Sequence, residues 1–133
     1  MKPIMLVVIG LFCSCAFADN NTDAARDAAL AWLAEVDNGQ YGASWKDASP
    51  MFKANVREQR WVRIISGARR QLGSVVSREL KSATYTEHVP KAPEGHYVIL
   101  EFSTYFANNP SVIETVTPML SHGKWKVSGY YIR

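Results

Sequence analysis

The chain has 133 residues, with 15 basic and 12 acidic side chains and a formal net charge of +3. This length predicts a single domain with one hydrophobic core. The charge balance is too even to indicate a nucleic acid or a membrane surface as partner. The three histidines, His88, His96 and His122, lack metal-ligand spacing, and phosphate-binding loop motifs are missing. The sequence therefore predicts no metal and no cofactor.

Residues 1–18 have the layout of a secretory signal peptide. Lys2 supplies a positive end, an apolar run follows, and Ala16-Phe17-Ala18 is a typical cleavage pattern. The run is too short to span a bilayer. We expect cleavage near Ala18, which would leave residues 19–133 as one periplasmic or secreted domain without a transmembrane segment.

Both cysteines, Cys13 and Cys15, lie inside this leader. The mature domain is therefore expected to contain no disulfide and no reactive thiol. A lipid anchor on Cys15 is the alternative, but the residues before it match an acylation motif less well than Ala18 matches a cleavage site.

Three helices are predicted before the sheet. The first has an apolar stripe at i, i+3, i+4, i+7, i+8 and i+11 and stops at Asp37-Asn38-Gly39. The second helix is shorter. After it the helical pattern begins again at Ser49-Pro50, with Ser49 as the N-cap and Pro50 at the first helical position. The third closes at Gly73. The three stripes are Ala25, Ala28, Ala29, Trp32, Leu33 and Val36; Tyr41, Trp45 and Ala48; and Trp61, Ile65, Ala68 and Leu72.

The third helix carries Arg60, Arg63 and Arg70 on the side opposite its stripe. These arginines could form a basic strip for an anionic partner. A solvated helix face is the preferred interpretation, because Glu58 and the modest net charge weaken the positive electrostatic potential of this face.

Four strands follow, over residues 74–87, 96–106, 112–120 and 124–133, with a loop rich in proline and glycine between the first two. Consecutive strands favour an antiparallel meander. Pro118 should lie where no ladder donor is needed, and Gly129 indicates a bulge or a bend. The predicted fold is α+β, with three N-terminal helices packed on a curved four-stranded antiparallel meander.

One carboxylate is hard to explain as a surface residue. Strand alternation puts Glu114 on the same face as Val112 and Val116, and a buried carboxylate needs a cationic or hydrogen-bonding partner. Arg78 is predicted two strands away from Glu114. The backbones of these two strands should be about 10 Å apart, a distance that the two side chains can bridge. We therefore predict an Arg78–Glu114 pair. An equally weighted alternative is that Arg78 and Glu114 form an exposed cross-strand ion pair, which would stabilise the fold by less than about 1 kcal/mol.

Tyr85, Thr104 and Tyr130 are candidate additional partners of this pair. Glu101 alternates with the core positions Leu100 and Phe102, so it should point to solvent. Even a buried pair is more often structural than catalytic.

Several motifs resemble those of the domain-of-unknown-function 4019 family (DUF4019). The run from Glu114 to Met119, followed by Gly123 to Ile132, is similar to the end of that domain. Further similarities cover the rest of the mature chain, except at Asn108-Asn109-Pro110, where a lysine-bearing turn is expected. They are Tyr41 with Trp45, Leu72-Gly73 before Arg78, the Pro93/Gly95 loop, and Thr104 with Phe106.

This resemblance implies a small exported bacterial protein with a cystatin-like or nuclear-transport-factor-2-like (NTF2-like) cone fold, and it implies no activity. Trp45, Gly73, Trp125 and Gly129 are its expected structural signature. Arg78, Glu114, Tyr85 and Tyr130 are candidate ligand-binding residues rather than catalytic ones.

Trp32, Trp45, Trp61 and Trp125 should pack in the core, although they could line a pocket. The preferred function is non-enzymatic binding of a small apolar ligand or an envelope protein. The alternative is an acid–base enzyme of the isomerase or dehydratase type, which rests on fold analogy. Tyr97, Ile99 and Tyr105 are expected on the outer sheet face, where they would suit a partner or a homodimer.

Overall fold

The computed structural model describes the backbone of residues 15–133 and the side chains from residue 21 onward. The side chains of the predicted signal peptide, including Cys13 and Cys15, lie outside the described residues. None of the described helices is long and apolar enough to cross a membrane.

The chain folds as four helices followed by four strands. The helices are α1 (Cys15–Asp37), α2 (Tyr41–Asp47), α3 (Pro50–Asn55) and α4 (Glu58–Leu72). The strands are β1 (Val75–Thr86), β2 (Tyr97–Phe106), β3 (Asn109–Ser121) and β4 (Lys124–Ile132). The sheet order is β1-β2-β3-β4 and every pair is antiparallel. The predicted α+β class and meander are confirmed.

The described chain has one more helix than predicted, because the segment after Ser49 is separate from α4. The Ser49 side chain accepts a hydrogen bond from the backbone N–H of Phe52, and Pro50 lies in the first turn. Val56 and Arg57 then adopt extended backbone conformations, which end α3 and begin α4.

The core lies between the inner face of the sheet and the apolar side of α1. Ala29 and Leu33 are fully buried, and so are Val98 and Leu100 on the facing strand. The small alanine side chains let the helix approach the sheet closely, as its alanine-rich stripe indicates.

Ser44 connects two of the tryptophans. Its carbonyl accepts a hydrogen bond from Trp32 Nε1 at 2.8 Å, and its hydroxyl accepts one from Trp61 Nε1 at 2.9 Å. Trp45 Nε1 donates to the Val56 carbonyl at 2.7 Å, while Trp125 packs partly buried against the core. The four indoles therefore belong mainly to the core, as predicted.

A bulge interrupts the β3–β4 ladder at the predicted place. Thr117 is opposite Gly129, but Pro118 is opposite Val127, so Ser128 is the extra residue. The Ser128 hydroxyl donates to the Thr117 carbonyl at 2.7 Å, which holds the bulge.

Gly73 ends α4 with a φ of +79°, a conformation that favours glycine. A Cβ atom there would lie 3.1 Å from the Asn108 amide nitrogen and 3.2 Å from the Ala107 Cβ. The Asn108 backbone N–H also donates to the Leu72 carbonyl at 2.9 Å. This close contact joins the end of α4 to the β2–β3 turn.

The prediction that Tyr97 lies on an open sheet face is wrong. Tyr97 is fully buried, and its hydroxyl donates to the Pro93 carbonyl at 2.6 Å. The loop between β1 and β2 covers it, which strand alternation alone does not reveal. Ile99 is partly exposed and Tyr105 is 46% exposed, so both remain at the surface.

Candidate functional site

Glu114 lies in the middle of β3 with its side chain fully buried. Its Oε1 accepts hydrogen bonds from Arg78 Nε at 2.8 Å and from the Thr104 hydroxyl at 2.5 Å. Its Oε2 accepts one from Arg69 Nη2 at 3.3 Å and one from the Tyr130 hydroxyl. Each carboxylate oxygen is therefore engaged by two donors.

Asp37, the last residue of α1, is a second carboxylate beside the same two arginines. Arg69 Nη1 donates to its Oδ1 at 2.8 Å. Arg78 makes a two-pronged contact, with Nη1 2.7 Å from Oδ2 and Nη2 3.0 Å from Oδ1. Two positive and two negative charges thus balance, and we name Asp37, Arg69, Arg78, Thr104, Glu114 and Tyr130 the charge network.

Arg69 is the central cation of the charge network. It is only 7% exposed, and its guanidinium lies 5.0 Å from the centre of the Phe106 ring. Its Nη2 also donates to the Tyr130 hydroxyl at 3.1 Å. One buried nitrogen, Nε, has no hydrogen-bond partner among the described residues. The planar guanidinium therefore connects both carboxylates while it lies over an aromatic ring.

The electrostatics keep Asp37 and Tyr130 in fixed protonation states near neutral pH. Burial alone would raise the pKa of Asp37, but hydrogen bonds from Arg78 and Arg69 outweigh it and lower that pKa. Burial and then the charge of Glu114 raise the pKa of Tyr130 far above its usual range. Asp37 thus stays ionised and Tyr130 stays a hydrogen-bond donor. The network is suited to holding elements together rather than to exchanging protons.

A groove lies between α3, the start of α4 and β4, and its volume is about 390 Å³. We name it the aromatic groove, and its apolar lining consists of Phe52, Val56, Trp61, Ile64, Tyr130 and Tyr131. A neighbouring hollow of about 260 Å³ shares Asn55, Ser128, Gly129 and Tyr131 with it and extends to Lys91. Arg60 lines the aromatic groove, and no acidic side chain in the described part of the chain lines either space.

A family model described as "Protein of unknown function (DUF4019)" matches residues 28–130. The chain belongs to the DUF4019 family. The matched segment contains the whole charge network and the apolar lining of the groove except Tyr131, and it confirms the family expected from the sequence. A search of curated proteins finds no match.

The structure brings most of the predicted site residues of this DUF4019 domain together. Arg78 and Glu114 are paired, and Glu114 is buried, so the exposed ion pair is not what forms. Thr104 and Tyr130 join them. Glu101 points away and forms an exposed ion pair with Arg133 at 3.1 Å.

Tyr85 does not belong to the charge network. On β1 it is paired with Val98, whereas Arg78 is paired with Thr104 farther along the ladder. The Tyr85 hydroxyl instead hydrogen-bonds the His96 ring nitrogen Nδ1. The suggestion that Tyr85 assists Glu114 is therefore wrong, because the residue lies at the other end of its strand.

Sequence reasoning missed Arg69 and Asp37. The signal for Arg69 was present, since it follows Trp61 and Ile65 at i+8 and i+4 on the buried side of α4. Asp37 was interpreted only as a helix stop. The described residues contain no group of three or more His, Cys, Asp or Glu side chains that could hold a metal ion.

Proposed function

We propose that this protein is an exported, non-enzymatic binding protein whose aromatic groove takes a small amphipathic ligand with an anionic end. One observation carries the proposal: two large apolar side chains at the groove are exposed, Ile64 by 51% and Tyr131 by 70%. Exposed apolar surface beside a concave aromatic wall is typical of a binding site.

The charges around the groove support an anionic end. Arg60 lines the aromatic groove and Lys91 lines the adjoining hollow, with no acidic residue between them in the described lining. An apolar chain lying along Trp61 would place a carboxylate or phosphate group within reach of one of these cations.

The charge network supports binding over acid–base catalysis. A general acid or base must reach a substrate proton, whereas Glu114 is fully buried and accepts hydrogen bonds from four side chains. An isomerase or dehydratase mechanism through this carboxylate would first have to dismantle that network.

Export is supported by the signal-peptide layout of residues 1–18. Mass spectrometry of protein recovered from its own cells tests it, with Asp19 as the expected first residue. A diacylated Cys15 would show a lipid-anchored protein instead of a free periplasmic one.

Binding is tested by isothermal titration with decanoate, below its micelle-forming concentration, while tryptophan fluorescence gives a second readout. Decyltrimethylammonium, with the same chain and the opposite charge, is the matched control ligand. We expect decanoate to bind about five- to thirtyfold more tightly, since attraction at a partly exposed site is worth about 1–2 kcal/mol.

Two variants locate the site. Ile64→Ser should weaken decanoate binding about tenfold, because burial of one large aliphatic side chain contributes about 1.5 kcal/mol. Val76→Ser is the control, since Val76 is 63% exposed on β1 and does not line the groove. Equal affinities for the two variants would contradict the proposal. So would an envelope protein that co-purifies and covers Ile64, or a homodimer that buries it.

A further inference from the structure

The loop between β1 and β2 carries a lysine in an unusual backbone conformation. Lys91 has a φ of +66°, a region that residues other than glycine, asparagine and aspartate seldom adopt. The Ala92 backbone N–H donates to the Val89 carbonyl at 3.1 Å, so Pro90 and Lys91 are the central residues of a tight turn. A proline followed by a positive φ is the pattern of a type II turn, whose second central position favours glycine. Lysine thus lies where glycine would form the same turn with less strain.

The loop around this turn is anchored to the sheet at both ends. The Tyr97 hydroxyl donates to the Pro93 carbonyl at 2.6 Å, and the Gly95 backbone N–H donates to the Glu87 carbonyl at 3.2 Å. Two prolines further restrict the backbone of the loop. The turn therefore presents Lys91 from a fixed position.

The positive charge of Lys91 is not compensated by another side chain in the described part of the chain. No salt bridge of 4.0 Å or less involves it. Glu94, on the same loop, is instead 3.6 Å from the His88 ring nitrogen Nδ1. The ammonium group of Lys91 is therefore available to an external anion.

Lys91 lines the hollow of about 260 Å³ that adjoins the aromatic groove. The polar residues Asn55, Thr117 and Ser128 line the same hollow. Asn55, Ser128 and Tyr131 belong to both spaces, so a ligand in the groove can continue into the hollow. The groove offers mainly apolar side chains, whereas the hollow adds a cation among polar residues.

We propose that Lys91 is the specificity-determining residue of this site, which binds the anionic end of the ligand in the hollow while the apolar chain passes Tyr131 into the aromatic groove. The assignment of this role to Lys91 rests on the function proposed above. The ligand class is then a single-chain amphiphile with a terminal anionic group. Strained backbone at such a position is typical of residues that contact a ligand.

Arg60, the other cation near the groove, is less suited to this role. It is an exposed residue in the first turn of α4, next to Trp61, and it lines the aromatic groove rather than the hollow. The apolar side chains of the groove favour a hydrocarbon chain there. An anionic group at Arg60 would take the place of that chain and leave the polar hollow without a ligand group.

Isothermal titration with decanoate compares variants that each remove one positive charge. Lys91→Gln should weaken binding about five- to tenfold, and Arg60→Gln less than about twofold. Lys81→Gln is the matched control, because Lys81 is an exposed lysine on β1 that lines neither space. It should bind decanoate like the wild type. Equal affinities for Lys91→Gln and Lys81→Gln, or a larger loss for Arg60→Gln, would overturn the proposal.

Two further variants separate the charge from the turn. Lys91→Arg keeps the charge and should bind decanoate within about twofold of the wild type. Lys91→Gly removes the charge and relieves the turn, so decanoate binding should weaken as in Lys91→Gln while the melting temperature rises by about 2–5 °C. A melting temperature that does not rise would overturn the role of the strained turn.

The same titrations distinguish failure of this assignment from failure of the binding function. If the wild type did not bind decanoate, both would be wrong. If the wild type bound decanoate and Lys91→Gln bound it equally well, the aromatic groove would remain the binding site and only the role of Lys91 would be wrong.

Discussion

Replacing Glu114 by glutamine tests whether the charge network holds this fold together. The Glu114→Gln side chain has nearly the same shape, but it removes the negative charge that faces Arg69 and Arg78. Its amide NH₂ would also face hydrogen-bond donors in either orientation of the amide, since both carboxylate oxygens of Glu114 accept hydrogen bonds. The variant thus leaves buried positive charge uncompensated while it creates no cavity.

The expected cost follows from the burial of the pair. Removing one partner of a buried ion pair typically costs about 3–5 kcal/mol. Asp37 still faces both arginines, so the cost should lie near the lower limit of this range. For a domain of this size that corresponds to a fall in melting temperature of roughly 10–20 °C.

Urea denaturation followed by circular dichroism measures this difference. The control is Glu101→Gln, which breaks an exposed ion pair with Arg133 and should cost less than about 1 kcal/mol. If the two glutamine variants had the same unfolding free energy within about 0.5 kcal/mol, the charge network would not be a stabilising element and the reasoning would be wrong.

Three further substitutions test other parts of the structure. Ser44→Ala leaves the buried Trp61 N–H without an acceptor, so urea denaturation should show a loss of about 1–3 kcal/mol. Gly73→Ala should destabilise the protein by at least about 1 kcal/mol more than Gly39→Ala, because both glycines have a positive φ but only Gly73 has neighbours that a Cβ would crowd. Equal losses would refute the crowding. Asp37→Asn should cost about 1–2 kcal/mol at neutral pH. Because the lowered pKa of Asp37 gives stability that is present above its unfolded value of 3.8 and lost at lower pH, melting curves of this variant should depend less on acid than those of the wild type.

Four of the six residues of the charge network, Arg78, Thr104, Glu114 and Tyr130, could be predicted because strand geometry is simple. Val112 and Val116 are buried at the positions that alternation assigned to the core, and Glu114 between them had to share their face. A meander then placed Arg78 within reach, two strands away. Periodicity and chain order were sufficient for this pair.

The other two residues, Arg69 and Asp37, depend on how the helices lie on the sheet. Arg69 lies on the buried side of α4. Helical periodicity does not show whether the guanidinium of such an arginine contacts a carboxylate or extends to solvent. Asp37 belongs to the charge network only because the end of α1 places its carboxylate within hydrogen-bond distance of Arg78. Tyr97 was misplaced for a similar reason, since the covering loop is a tertiary feature.

Tyr130 links the charge network to the aromatic groove. Its hydroxyl belongs to the charge network through Glu114 and Arg69, while its ring lines the aromatic groove and lies 6.3 Å from the ring of Trp61. The buried charges thus fix the position of one wall of the groove. A preformed wall would reduce the ordering cost of the ligand binding that we propose. Glu114 would accordingly contribute to binding through the position of Tyr130, without touching the ligand.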